Sequence, residues 1–180
     1  MKLYTKILKL ITDIRLYKWG IILTGDSTYE IKGPHLRELL NVIQPGDVLL
    51  RKYKHYIGNM IIPGYWAHAA IYVGANKTIH VRGDGILIED ILTFTRADDL
   101  MVLRCADNEL INHAISEAYK YLEKGMVYDY KFDFDNPDAM SCTEFIDVIF
   151  KHPKIERTFN KYILPDDLLN SIFKVVWKKN

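Results

Sequence analysis

From Pro45 onward the chain sets short apolar runs between turn residues, a pattern that predicts several strands, then a helix, an extended arm and a second helix. Asp47-Val48-Leu49-Leu50-Arg51 is a strand entered from the Pro45-Gly46 turn. Residues 67–73 and 78–82 form two more around Gly74, with the hairpin centred on that glycine. Gly83-Asp84-Gly85 turns the chain into Ile86-Leu87-Ile88, and Leu100-Met101-Val102-Leu103-Arg104 is another β-rich run. Asp107 or Asn108 caps a helix whose stripe is Leu110, Ile111, Ala114, Ile115, Ala118 and Leu122, closed by Gly125. Residues 128–135 alternate aromatic and polar side chains, the period of a half-buried strand or arm. A helix from about Cys142 to Phe150, a short helix at Pro165 and a strand over 173–177 complete the pattern.

Ahead of this, Leu3, Ile7, Leu10, Ile11, Ile14 and Tyr17 recur at helical spacing among basic residues. Residues 3–17 are therefore expected to form an amphipathic helix. It either packs on the core or lies on a membrane surface, giving peripheral contact through residues 1–23. Pro34 begins another short helix over 35–42. The expected organisation is a single domain over 1–180, with a helical extension (1–44) and a core (45–178).

Composition narrows the classes. With 49% hydrophobic and 26% charged residues, 180 residues can bury one core without staples. Lysine and arginine number 24 against 23 acidic residues, a formal charge of +1, so nothing chain-wide points to nucleic acid as a partner. Charged residues from Lys2 to Lys18 interrupt any secretory or membrane-spanning run near the start, and the chain reads as mature, soluble and cytoplasmic. The two cysteines, Cys105 and Cys142, fit no zinc spacing and are expected to be free thiols.

Of the two, Cys142 has a chemical setting. Ser141-Cys142-Thr143-Glu144 matches a capping box, which makes Cys142 the first residue of its helix. Unpaired backbone amides and the positive end of the helix dipole favour a thiolate there and can stabilise an oxyanion. Phe145 and Ile146, three and four residues on, turn the thiol inward. A buried cysteine at a helix start is ordinarily structural, so the reading depends on a base. His68 and His80 are an even number of residues apart across the expected hairpin, so both fall on one sheet face. One imidazole can then orient the other as a base for a thiol. The alanines flanking His68 leave room beside it, and Asp84 and Asp129 are further candidate orienters.

Three blocks in order, Gly46-Asp47-Val48-Leu49-Leu50, His68-Ala69-Ala70-Ile71-Tyr72-Val73-Gly74 and Ser141-Cys142-Thr143-Glu144-Phe145, resemble the YiiX-like branch of the NlpC superfamily of circularly permuted papain-like cysteine hydrolases. The resemblance runs from about Pro45 to Trp177. It implies an α+β, circularly permuted papain-like fold, with an antiparallel sheet or small barrel packed against the helix carrying the cysteine. It also implies Cys142 as nucleophile, His68 as base and a third polar residue on the next strand. That place holds His80, which is more like the lecithin retinol acyltransferase relatives, with two histidines and a cysteine.

The leading expectation is thus a cysteine hydrolase cleaving an amide or ester through a thioester, with Cys142, His68 and His80 catalytic and no metal or organic cofactor. Relatives of the branch suggest peptide-like substrates, including cell-wall peptides. The amide of Cys142 is one oxyanion donor, and Tyr53, Tyr56 and Tyr65 are candidates for another. One alternative is a lipid acyl hydrolase or acyltransferase acting on a lipid-like substrate. A second is an inert binding or structural module on the same fold.

Overall fold

The computed structural model describes residues 14–17, 20–23, 29–54, 63–130, 138–151, 155–158 and 162–179. Its centre is a six-stranded, wholly antiparallel sheet of β3 (Val48–Lys52), β4 (His68–Gly74), β5 (Lys77–Arg82), β6 (Gly85–Asp90), β7 (Asp99–Cys105) and β10 (Phe173–Lys178). The spatial order is β10-β7-β3-β4-β5-β6, an open sheet with two edges. Two short two-stranded pairs accompany it. One joins β1 (Ile14–Tyr17) to β2 (Gly20–Leu23), and the other joins β8 (Val127–Tyr128) in parallel to β9 (Ala139–Met140).

Residues 14–17 correct the expectation of a helix over 3–17, because they are a strand, in register with residues 20–23. Ile-Arg-Leu-Tyr alternates as well as it spirals, so four residues satisfy either period and the pairing across Gly20 decides. The rest of that proposed helix lies outside the described residues. So does most of the aromatic arm, of which only Tyr128 belongs to a strand among the described residues, with Val127 before it. Among the described residues no helix is long and apolar enough to cross a membrane.

Both faces of the sheet are covered, as the unbroken apolar run of β3 requires. On one side Val48, Leu50, Ala69, Ile71, Ile79, Val81 and Leu103 pack against α3 (Asn108–Lys124) and α4 (Cys142–Ile149) through Ala114, Ala118, Phe145, Ile146 and Ile149. On the other, Leu49, Ala70, Tyr72, Leu100 and Val102 meet α1 (Gly33–Val42) through Leu39 and α2 (Ile91–Phe94) through Ile91 and Phe94. The caps follow the sequence: Asp107 accepts from the amides of Glu109 and Leu110, and left-handed Gly125 closes α3. Asp47 is buried at the start of β3, where both its oxygens accept from Arg104, each at 2.7 Å, and one also from the Gln44 amide at 2.8 Å.

Candidate active site

Of the side chains singled out in the sequence, His68 and His80 meet on the face under α2. His68 Nε2 lies 2.8 Å from His80 Nδ1, with the ring centroids 5.0 Å apart and the planes at 77°. The buried His80 presents its other ring nitrogen, Nε2, to Glu89 Oε2 at 3.4 Å. The same carboxylate stands 3.7 Å from Arg51 Nη1 and 3.5 Å from Arg82 Nη1. Phe94 roofs the group: the Arg51 guanidinium sits 4.2 Å above its ring and donates to its carbonyl at 3.0 Å, while the rings of His80 and His68 lie 5.2 and 6.0 Å away.

The histidines share a face for a reason that differs from the expected one. The β4–β5 turn is centred on Ala75 and Asn76, both left-handed at φ 48° and 59°, not on Gly74. Two left-handed central residues match the twist of a tight hairpin. Counted straight from the pair Gly74↔Lys77, the ladder would put His68 and His80 on opposite faces. A bulge at Val73 absorbs one residue, after which Tyr72 pairs with Thr78 and Ile71 with Ile79. That restores the parity and leaves the two histidines diagonal to each other instead of directly opposite.

Cys142 begins α4 as the capping box requires. Ser141 Oγ accepts from the Glu144 amide and Glu144 Oε2 accepts from the Ser141 amide, each at 3.1 Å. Thr143 Oγ1 donates to the Ile163 carbonyl at 2.6 Å and pins this first turn. The sulfur is buried, and the nearby backbone amides of Ala69, Thr143 and Cys142 itself work to lower its pKa. Ala69 is the neighbour of His68 in β4, beyond the point where the ladder to β5 ends at Ile71↔Ile79. Ala69 stays paired with Leu50 of β3, and it is the side toward β5 that has no ladder partner there. The approach to β4 is fixed by Asp166, which accepts from the amides of Tyr65 at 3.0 Å and Trp66 at 2.8 Å. Cys105 and Cys142 are both free thiols.

Burial sets the protonation states. It holds His68 well below the ordinary imidazole value, helped by the charge on Arg51, by His80 and by Arg82. It takes His80 down to about 4, against the pull of Glu89. Burial also works to raise Glu89, but the hydrogen bond and charge of His80 and the charges on Arg51 and Arg82 prevail and keep that carboxyl low. The helix-start thiolate expected from the dipole is corrected here: burial pushes the Cys142 thiol up, and the amides of Ala69 and Thr143, the Arg51 charge and its own amide offset only part of this. At neutral pH these directions leave the Cys142 thiol and the His68 and His80 imidazoles neutral and Glu89 charged. Alkylation of Cys142 by iodoacetamide, followed by peptide mass spectrometry, is expected to rise about tenfold per pH unit up to a midpoint above the ordinary thiol value. A midpoint below pH 7 would instead mean a preformed thiolate–imidazolium pair.

Of the candidate tyrosines, Tyr65 is exposed and its hydroxyl is bonded to Asp99, while Tyr53 faces the Arg51 guanidinium at 5.2 Å. Tyr56 lies outside the described residues. Asp84 sits in the β5–β6 turn, and the Asp129 amide bonds the Met140 carbonyl after β8. The carboxylate that reaches His80 is Glu89, which the sequence reading missed. A two-residue turn at Gly83-Asp84 pairs Arg82 with Gly85 and Thr78 with Glu89, which places Glu89 on the face of His80.

Residues 42–174 match the family described as permuted papain-like amidase enzymes, YaeF/YiiX. Among solved structures, the chain is similar to the crystal structure of metalloprotein YiiX from Escherichia coli, with a TM-score of 0.59 and 14% identity over 76% of this chain and 97% of that one. No curated protein sequence matches it. Among the described residues there is no group of three or more His, Cys, Asp or Glu side chains placed to hold a metal ion.

Proposed function

The chain belongs to the family of permuted papain-like amidases that includes YaeF and YiiX, and we propose that it cleaves a peptide-like amide, such as one from a cell-wall peptide, through a thioester on Cys142. The observation that carries this reading is the His68–His80 contact of 2.8 Å. It commits His68 Nε2 to His80 and leaves His68 Nδ1 as the nitrogen to serve the thiol. The Ala69 amide on the sulfur supports this, because it brings β4 and the start of α4 together beside His68.

The reaction follows from these roles. His68 Nδ1 takes the proton of the Cys142 thiol as the sulfur attacks the substrate carbonyl, so no free thiolate accumulates beforehand. The amide of Cys142 donates to the oxyanion that forms. As the tetrahedral species collapses, the carbon–nitrogen bond breaks and the departing amine takes the proton from His68. Water then attacks the thioester carbonyl and gives a proton to His68, which returns it to the sulfur as the acid leaves. A match to amidases does not favour the acyltransferase reading raised by His80.

The test is to mix the protein with a panel of short peptides that includes cell-wall types, quench in acid within seconds and measure intact mass. The expected result is an acyl adduct on Cys142 that hydroxylamine removes. A protein that forms no adduct and releases no amine across the panel would be a binding module on this fold.

A further inference from the structure

We propose that Glu89 is the terminal positioning residue of the base, holding the proton of His80 on Nε2 and thereby that of His68 on Nε2 as well. The inference rests on the reading of His68 as the base and adds what fixes its reactive nitrogen. His80 Nε2 and Glu89 Oε2 are both buried, 3.4 Å apart, and neither has another hydrogen-bond partner. Buried polar atoms are ordinarily satisfied; Glu89 Oε2 is the acceptor that faces His80 Nε2, and His80 stands closer to that oxygen than Arg51 Nη1, at 3.7 Å, does. The separation is long for a hydrogen bond, as catalytic contacts often are before substrate binds.

A carboxylate can only accept, so Glu89 requires the proton of neutral His80 to be on Nε2. His80 Nδ1 must then accept from His68 Nε2–H across the 2.8 Å contact. His68 is left with its lone pair on Nδ1, the form a base for Cys142 needs. The reverse arrangement, with His80 Nδ1–H donating to His68 Nε2, would put the His68 proton on Nδ1 and block it. Glu89 selects between two otherwise symmetric chains of hydrogen bonds.

Its charge has a second effect. The charged and titratable groups facing His80 and Glu89 are Arg51 from β3, His68 from β4 and Arg82 from β5, with the uncharged ring of Phe94 above them from α2. With Glu89 ionised the two arginines leave a net charge of +1 beside the imidazoles, and without it +2. Removing the carboxylate makes a proton on His68 harder to hold while the amine departs.

Long-range proton–nitrogen correlation spectra of the ¹⁵N-histidine-labelled full chain at pH 7 read the tautomers directly, with His68→Asn and His80→Asn spectra assigning the signals. The expected wild-type result is Nε2–H on both rings. In Glu89→Gln, whose amide can donate or accept, the Nδ1 and Nε2 signals of both rings should move together toward their averages. Acyl capture on Cys142 should fall about tenfold or more, and Glu89→Asp should retain the wild-type tautomers. A wild-type His68 carrying its proton on Nδ1, or unchanged tautomers in Glu89→Gln, would overturn the proposal. If Glu89→Gln does not fold, the wild-type spectrum alone decides. The tautomers exist without substrate, so failure of the amidase reading would appear separately, as absent acyl capture with both rings still Nε2–H.

Discussion

Cys142→Ser is expected to lower amide turnover at least about 10⁴-fold while the protein stays folded. The serine hydroxyl is a far weaker acid than even a thiol raised by burial, and neutral His68, held well below the ordinary imidazole value, is too weak a base to compensate. The fold tolerates the change because the exchanged atom is met by the amides of Ala69, Thr143 and residue 142. These can satisfy a buried hydroxyl, so the stability cost is about 1 kcal/mol. Initial rates on any peptide that acylates the wild-type protein, read beside a thermal melt, check both halves. Turnover within tenfold of wild type would remove Cys142 from the mechanism.

Asp47→Ala is expected to be the most damaging single change to stability away from the apolar core, by about 3 kcal/mol. One carboxylate there satisfies a bidentate Arg104 and the Gln44 amide, and Arg104 goes on to donate to the Val42 carbonyl at the end of α1 at 2.7 Å. The carboxylate ties β3, β7 and the entry from α1 together. Truncating it leaves a half-buried guanidinium and an amide unpaired. For a chain of this size the midpoint of thermal unfolding should drop by about 6–12 °C. Circular dichroism melts check this, and a drop under about 2 °C would mean that water replaces the pair.

What could be read from the sequence divides along the range of the interactions. The capping box at Ser141 and Glu144 is complete within four residues, so the start of α4 and the place of Cys142 on it follow from local chemistry. The antiparallel sheet follows from runs and turns, and the α+β, permuted papain-like fold agrees with the family match and the YiiX structure. The shared face of His68 and His80 follows from parity alone, although a hairpin centred on Gly74 differs from the observed register by two residues. The bulge at Val73 has no strong sequence mark, and the wrong centre preserved the right parity. The neutral thiol was not legible, because the dipole is visible in the sequence whereas the burial opposing it comes from the layers packed around the sheet. Glu89 is not legible from the apolar run, which ends at Ile88 while β6 continues to Asp90.

The two layers also bear on how the protein can be engineered. The relay from His68 through His80 to Glu89 lies under α2 and Phe94, and the nucleophile heads a helix packed on the opposite face of the sheet. Libraries confined to α1 and α2 would vary the basicity of His68 with little disturbance to the thiol, while libraries in α3 and α4 would vary the thiol and leave the relay in place. Proton affinity and nucleophilicity become two separately adjustable settings of one catalyst, coupled through strand β4 and through the Arg51 charge that both groups feel.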